Sequence, residues 1–470
     1  MASSASDLHI FFLPLPAPGH TIPMVDLALL FANLGASSTV VATPYNASLI
    51  LPSISSHPKV QILTVPSPYP SIPENITSHS IPDVSSEFFD VLCLLEPHLD
   101  QLLSLHRPDA LVSDLFFPWS ASLAVEHRIP RLIFHGSSYF FLNVTSSISL
   151  LKLLPVSDDD PFLVPGFPHR IEMRRSQMPD FLTSPPKYVN LIADSLKKSH
   201  GMVMNTFYEL EPAHADAFRA SGMRSWNVGP VSLCHRPTNS LLSRGGAASE
   251  PSTVDRIFPW LDSQEPGSVL YICFGSLAGF TAVQVGEIGK GLAAAGRPYL
   301  WVVRDGTAAV EVEIGEGRGK GLVISGWVPQ VAILGHVAVG AFMTHCEWNS
   351  CTDGMAAGLP MITWPLAADQ PFNERLLVDV LGLGVGVGSL VNSWLKEKRT
   401  VVPAERLAAA VEGVMGGGEE AEARRRRARE MKEKAAAAVA HGGSSQFELA
   451  RLVDELVGLK AARLEEEEAQ

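Results

Sequence analysis

Side chains that could bind a ligand are concentrated between Trp327 and Gln370. This stretch combines aromatic rings, imidazoles and small polar residues with short apolar runs, and the runs at 339–344 and 361–363 predict buried strands of a parallel sheet. Each run ends just before polar residues, which are therefore expected at the carboxyl ends of the strands. Because open α/β sheets bind ligands at that edge, the sequence predicts a ligand site there.

The most informative part is the junction of the strand at 339–344 with a helix predicted over 350–357. The Asn349–Ser350 pair then lies at the helix N-terminus, where free N–H groups and the helix dipole favour an anion such as a diphosphate. Asp353, one turn in, is placed to accept hydrogen bonds from a ribose diol, and Trp327 offers a flat face to a base. Singly, an Asn-Ser pair is more often a helix cap and a Trp more often a core residue. Their ordered combination favours a nucleotide site.

The order of these residues resembles the signature box of plant secondary-product UDP-glycosyltransferases, which reads Trp-x-Pro-Gln, His-Cys-Gly-Trp-Asn-Ser, Glu, Trp-Pro and Asp/Glu-Gln. The resemblance covers most of the chain, from Pro-Ala-Pro-Gly-His20 to Cys-Phe-Gly-Ser276, and the segment 205–211 is especially close to one subgroup. It implies an α/β fold of two Rossmann-like parallel-sheet domains facing across a cleft (GT-B type). It also implies an inverting enzyme that moves a sugar from a UDP-sugar to a hydroxyl of a small apolar plant metabolite, giving a β-O-glycoside.

A catalytic pair is implied by the same resemblance. The apolar run 8–15 predicts the first strand, residues 16–20 a turn and residues 22–34 a helix, so His20 is expected in the turn. A lone loop histidine is more often inert, and an aspartate directly after a strand, such as Asp114, is more often a cap. The family pattern instead makes His20 the base that takes the proton of the acceptor hydroxyl. Asp114 is then the partner that orients the imidazole and stabilises its positive charge.

The resemblance assigns the remaining residues of the box to successive parts of the UDP-sugar. Trp327, Val328, Gln330 and Asp353 are implied to hold the base and ribose, His345, Asn349 and Ser350 the diphosphate, Trp348, Asp369 and Gln370 the sugar, and Ser276 the sugar nucleotide. No metal or other cofactor is expected, because the imidazole and the helix N-terminus stabilise the leaving diphosphate. The UDP-sugar is a co-substrate, and the terminal Gln370 suggests that its sugar is glucose.

Two departures from the family pattern bear on the site. Glu347 replaces the Gly that follows His-Cys, and Asp353-Gly354 replaces the Glu-Ser pair. An Asp keeps the carboxylate of the Glu but shortens its reach by one methylene, so contact with the ribose is expected to loosen. Glu347 would bring a negative charge close to the diphosphate if its side chain points into the site, and would have no effect if it points outward.

Length, composition and charge bound the class of protein. The 470 residues fit two domains of roughly 200 residues each. The 36 basic and 49 acidic residues give a net charge of −13, which argues against nucleic acid or an anionic membrane as a partner. The five scattered cysteines show neither a disulfide framework nor a zinc spacing, which favours a reducing compartment. We find neither a signal-peptide pattern nor an apolar run of about 18 residues, and expect a cytoplasmic monomer.

The predicted organisation has an N-terminal acceptor-binding domain at 1–234 and an interdomain linker at 235–253, where Pro, Ser, Gly and Ala dominate. The UDP-sugar-binding domain follows at 254–450, and a helix with an acidic tail at 451–470 is expected to return to the first domain. Pro- and Asp-rich residues 154–186 predict a long loop that carries acceptor contacts.

Three other functional classes are alternatives. A Rossmann-type oxidoreductase lacks its Gly-x-Gly-x-x-Gly after the first strand, and a glycoside hydrolase lacks an apparent pair of facing carboxylates. A sugar-nucleotide-binding protein impaired by Glu347 remains as the alternative, against which His20 and Asp114 argue. The sequence leaves the acceptor open among flavonoids, other phenolics, terpenoids and steroids.

Overall fold

The computed structural model describes residues 7–55, 57–67, 86–155, 157–183, 187–234, 244, 251–275, 279–303 and 321–469. The strands in this part of the chain are β1 (His9–Leu13), β2 (Ser37–Ala42), β3 (Val60–Thr64), β4 (Ala110–Asp114), β5 (Arg131–His135), β6 (Pro161–Val164), β7 (Ile171–Arg174), β8 (Gly201–Met204), β9 (Ser225–Asn227), β10 (Val269–Cys273), β11 (Tyr299–Val303), β12 (Gly321–Ser325), β13 (Val339–Thr344), β14 (Met361–Thr363) and β15 (Gly384–Gly386).

The helices are α1 (Pro18–Asn33), α2 (Pro44–Ile54), α3 (Ser86–Cys93), α4 (Glu96–His106), α5 (Ser120–Glu126), α6 (Tyr139–Leu151), α7 (Asp180–Thr183), α8 (Lys187–Lys198), α9 (Pro212–Ala220), α10 (Pro251–Asp262), α11 (Ala282–Ala295), α12 (Gln330–Leu334), α13 (Trp348–Ala357), α14 (Gln370–Arg375), α15 (Ala404–Met415), α16 (Glu419–Val439) and α17 (Ser444–Glu468). A π-helical turn at Leu376–Val380 continues α14. None of the described helices is both long enough and apolar enough to span a membrane.

The chain divides into two compact units, each built on one parallel sheet. Unit 1 comprises residues 1–136, 185–247 and 436–470, and unit 2 comprises residues 137–184 and 248–435. The sheet of unit 1 has the order β3-β2-β1-β4-β5-β8-β9, and that of unit 2 has the order β12-β11-β10-β13-β14-β15. All strand pairs within both sheets are parallel. The predicted α/β class with two parallel sheets is confirmed.

Each sheet has one place where the direction of strand addition reverses. In unit 1 the reversal lies between β1 and β4, and in unit 2 it lies between β10 and β13. The loops that leave neighbouring strands at such a point run to opposite faces of the sheet and open a crevice at the carboxyl ends, where α/β proteins bind ligands. Ligand-binding residues are therefore expected at four strand ends, two in each unit.

The core of unit 1 follows from alternation along its buried strands. Ile10 and Phe12 of β1 pack on one face with α1 and with Leu452 and Leu456 of α17, whereas Phe11 packs on the other face with α4. Successive side chains of a strand point to opposite faces, so a strand buried on both sides reads as a continuous apolar run. The C-terminal helix α17 is thus part of the core of unit 1.

Two local expectations were wrong. Helix α1 begins at Pro18, so residues 18–20 form its first turn rather than a loop, because proline has a φ suited to the first helical position and lacks an N–H that would be unpaired there. Residues 154–186 contain the antiparallel hairpin β6–β7 and the short helix α7 instead of a long loop. The compact units do not follow the predicted domain bounds at residues 137–184, which group with unit 2.

Candidate functional site

The reversal point of unit 1 brings His20 and Asp114 together. His20 lies in the first turn of α1, just after β1, and Asp114 is the last residue of β4. Their Nδ1 and Oδ2 atoms are 2.7 Å apart, and the N–H of Phe116 donates to the other carboxylate oxygen of Asp114 at 3.0 Å. The side chain of Asp114 is only 4% exposed, whereas that of His20 is 30% exposed. Asp114 is therefore held inside the protein, whereas His20 is accessible to a ligand.

This arrangement favours one tautomer of His20. An ionised carboxylate only accepts hydrogen bonds, so Nδ1, the ring nitrogen that faces Asp114, carries the proton. The other ring nitrogen, Nε2, then has a lone pair, and the carboxylate stabilises the positive charge that forms if Nε2 takes up a proton. The pair has the chemistry of a general base with its orienting partner.

Arg131, at the start of β5, supports this strand end from inside the protein. Its guanidinium is 1% exposed and donates to the side chains of Ser113 and Ser199, each at 2.8 Å, and to the carbonyl oxygen of Phe117 at 3.1 Å. Burial lowers the pKa of Arg131 to about 9, and the negative charge of Asp114 acts in the opposite direction. The turn from Asp114 to Phe117 is thereby held by a buried cation.

In unit 2 the loop from β13 to α13 places His345 in a tight position. His345 directly follows β13 and is 5% exposed, and its imidazole packs over the backbone of Gly275, which follows β10. Cys346 has a φ of 69°, a value that non-glycine residues rarely adopt, and the side chain of Asn373 donates to its carbonyl oxygen at 2.9 Å. Asn373 thus stabilises a strained turn that orients His345.

Helix α13 begins two residues earlier than predicted, with Trp348 as its first residue and Glu347 as its N-cap. Asn349 and Ser350 are the second and third residues of this helix, in the turn whose N–H groups lack partners within the helix. The indole of Trp348 is fully buried, and the contact of this residue with a sugar stays a prediction.

The side chain of Glu347 points toward the residues assigned to the diphosphate. Its Oε1 accepts a hydrogen bond from Nδ2 of Asn349 at 3.2 Å, and its Oε2 lies 3.4 Å from Nε2 of His345. Of the two orientations that the sequence left open, the structure shows the inward one.

The residues assigned to base and ribose lie at the start of α12 and on α13. Nε2 of Gln330 donates to Oδ2 of Asp353 at 3.1 Å, and the backbone N–H of Gln330 donates to the carbonyl oxygen of Val328 at 2.9 Å. Trp327 is partly exposed, whereas Val328 is buried and can contribute through its backbone. Ser276, the remaining residue of the donor set, lies outside the described residues.

Two of the residues assigned to the sugar, Asp369 and Gln370, follow β14. Oδ2 of Asp369 accepts hydrogen bonds from Ser137 at 2.6 Å and from Asn373 at 2.9 Å. Burial raises the pKa of Asp369, and the two hydrogen bonds act in the opposite direction. Oε1 of Gln370 accepts from the backbone N–H groups of Leu366 and Ala367 at 2.8 and 2.9 Å, which fixes the orientation of its amide.

Comparison with known proteins decides the family. The family model described as UDP-glucoronosyl and UDP-glucosyl transferase matches residues 256–392. The UDP-glucose flavonoid 3-O-glucosyltransferase 7 of Fragaria ananassa is 39% identical over 477 residues, which cover 96% of this chain and 97% of the relative. The scopoletin glucosyltransferase of Nicotiana tabacum is 38% identical, with 96% and 98% covered. The chain belongs to the plant secondary-product UDP-glycosyltransferase family.

The fold of this glycosyltransferase agrees with that assignment. The crystal structure of Glycyrrhiza uralensis UGT73P12 complexed with glycyrrhetinic acid 3-O-monoglucuronide matches with a TM-score of 0.89 at 36% identity, covering 98% of each chain. Medicago truncatula UGT71G1 complexed with UDP-glucose matches with a TM-score of 0.78 at 26% identity, covering 97% of this chain and all of that one. The expected GT-B class is confirmed.

The structure adds residues of the glycosyltransferase that the sequence did not single out, namely Arg131, Ser137 and Asn373. Asn373 lies four residues after Asp369, one helical turn away, and that spacing was a usable signal. No pattern pointed to Ser137, which is far from Asp369 in sequence. The structure also accounts for Gly354, because a Cβ atom there would lie 2.9 Å from Sδ of Met361.

Proposed function

We propose that this glycosyltransferase moves glucose from UDP-glucose to a hydroxyl of a small apolar plant metabolite, with inversion at the anomeric carbon. The observation that carries the proposal is the 2.7 Å contact between His20 and Asp114 at the reversal point of unit 1. The relatives named above support the donor and the kind of acceptor, since their names include a flavonoid and scopoletin. We therefore propose an acceptor among flavonoids, other phenolics, terpenoids and steroids.

In the proposed reaction the acceptor hydroxyl gives its proton to Nε2 of His20 as its oxygen forms a bond to the anomeric carbon. The bond from that carbon to the diphosphate oxygen breaks, and UDP leaves. Because attack and departure are in line, an α-linked donor gives a β-glucoside. A positioned base of this kind contributes about 10²–10⁴-fold to the rate.

The donor is proposed to lie along the residues that the family pattern assigns. Trp327 would stack on uracil, and Asp353 with Gln330 would bind the ribose. His345, Asn349, Ser350 and the N–H groups of α13 would stabilise the charge on the diphosphate without a metal. Ser276, Val328, Trp348, Asp369 and Gln370 complete the proposed donor set, in which the NH₂ group of Gln370 is the end available to a sugar hydroxyl. We also propose that the protein is a monomer in the cytoplasm. Its five free thiols are typical of that compartment.

The test is to incubate the purified protein with UDP-glucose and a panel of phenolic, terpenoid and steroid acceptors, with and without EDTA. We expect a product whose anomeric proton shows a β linkage by NMR, equal rates with EDTA, and no product from His20→Ala, which should still bind UDP. UDP-glucuronate and UDP-rhamnose serve as competing donors. Full activity of His20→Ala, or an α-linked product, would contradict the mechanism.

A further inference from the structure

Glu347 lies at the N-cap of α13 but does not act as a cap. An N-cap side chain normally accepts a hydrogen bond from a backbone N–H of the first helical turn, and Glu347 makes no such bond. Its carboxylate instead reaches the side chains of Asn349 and His345, at 3.2 and 3.4 Å. Both of these groups are assigned to the diphosphate of the donor.

A carboxylate and a phosphate present the same chemistry to these two side chains, because each offers negatively charged oxygens that accept hydrogen bonds. His345 has little freedom to serve both partners. Its side chain is 7% exposed and packs over Gly275, and its Nδ1 has no hydrogen-bond partner among the described residues. A diphosphate that contacts Nε2 must therefore take the place of the Glu347 carboxylate.

We infer that Glu347 lowers the affinity of this enzyme for its donor and for UDP. Its carboxylate occupies the groups that bind the diphosphate, and the nucleotide must displace this carboxylate to bind. This inference rests on the proposed function. Displacement breaks the contacts of Glu347 and leaves its charge close to the incoming diphosphate, where like charges repel. Both effects oppose nucleotides that carry a diphosphate, and neither opposes uridine. Weak retention of UDP also favours release of this product after transfer.

The test compares the wild type with Glu347→Gln and Glu347→Gly by isothermal titration with UDP-glucose, UDP and uridine. Glutamine keeps the size of the side chain and removes its charge, and glycine is tolerated at an N-cap. Glu430→Gln, at an exposed position of α16, is the matched control. We expect UDP and UDP-glucose to bind both Glu347 variants about tenfold more tightly, with uridine and the control unchanged. Inhibition of transfer by UDP should strengthen by a similar factor.

Equal UDP affinity in the wild type and both variants would overturn the inference and leave the proposed function in place. Weaker binding by Glu347→Gln would also overturn it, by showing that the carboxylate organises His345 and Asn349 for the donor. If the affinity for uridine rose as much as the affinity for UDP, the effect would be unrelated to the diphosphate, and this result would also count against the inference. Failure of the wild type and both variants to bind UDP would instead contradict the proposed function.

Discussion

Gly275 and His345 lie so close together that a Cβ atom on the glycine would be 2.5 Å from both Cε1 and Nε2 of the imidazole. The φ of Gly275 is 76°, in the left-handed region that residues with a side chain rarely adopt. The backbone after β10 is therefore the surface against which the imidazole packs. The absence of a Cβ atom in Gly275 therefore allows the imidazole of His345 to occupy its position.

Gly275→Ala is expected to push the imidazole of His345 away from the diphosphate position and to raise the donor KM about tenfold or more, with a smaller effect on the acceptor KM. Steady-state kinetics with each substrate varied in turn would measure this. Gly296→Ala is the matched control, because Gly296 has a similar φ of 64° and nothing within 4 Å of its Cβ position. An unchanged donor KM in Gly275→Ala would refute the role given to this contact.

Asp114→Asn is expected to lower kcat about 10²–10⁴-fold while UDP affinity stays within about twofold, because the amide no longer stabilises the imidazolium of His20. Rates at saturating substrate and a titration with UDP would show both effects. His127 and Asp100 form a second His–Asp pair in unit 1, also at 2.7 Å but with a carboxylate that is 51% exposed, so Asp100→Asn is the control. Equal losses in the two variants would mean that the Asp114 pair has no special role.

Arg131→Met is expected to reduce the free energy of unfolding by about 2–4 kcal/mol, because it removes the hydrogen bonds of Arg131 to Ser113, Ser199 and Phe117 and the cation near Asp114. Urea unfolding followed by fluorescence, with the slope m compared between proteins, would measure the change. Arg429→Met removes an exposed arginine paired with Glu422 and should change stability by less than about 1 kcal/mol. Similar losses in both variants would contradict the proposed support of the strand end.

Asp369 predicts a pH dependence of stability. Burial raises its pKa above the ordinary value of 3.8, and the negative charge of Glu347 acts in the same direction. The folded protein then holds the carboxyl proton of Asp369 more tightly than the unfolded chain does. The resulting contribution to stability is complete below the ordinary pKa of 3.8 and is lost as pH rises through the pKa of the folded protein.

Asp369→Asn should therefore gain stability relative to the wild type as pH rises between about 4 and 7. Urea unfolding across that range would test the sign. Asp255→Asn, at an exposed position, should show no such trend. A stability difference between Asp369→Asn and wild type that falls with pH would show that hydrogen bonds from Ser137 and Asn373 outweigh burial.

The sequence predicts β13 and β14 with their observed bounds, because each is a short apolar run that ends at a polar residue. It misplaces the start of α1, because Pro18 suits a turn and the first helical position equally well. It also misses the hairpin β6–β7, whose strands of four residues are too short to show alternation clearly.

The side-chain orientation of Glu347 was beyond the reach of the sequence for a different reason. It depends on the positions of His345 and Asn349, and these follow from the strained turn at Cys346 that Asn373 stabilises from another helix. Residue type and spacing therefore predict which groups are present at this strand end. Contacts between distant segments decide where those groups point.

Helix α17 comes last in the chain yet supplies Leu452 and Leu456 to the core of unit 1, and the division between the units falls within the continuous helix α16. The two halves of the sequence are consequently not interchangeable modules. A chimera that joins the first half of one relative to the second half of another would mismatch this core, since residues 436–470 must be inherited together with the N-terminal strands. Recombination between family members should retain function most often when it keeps both ends of the chain from the same parent.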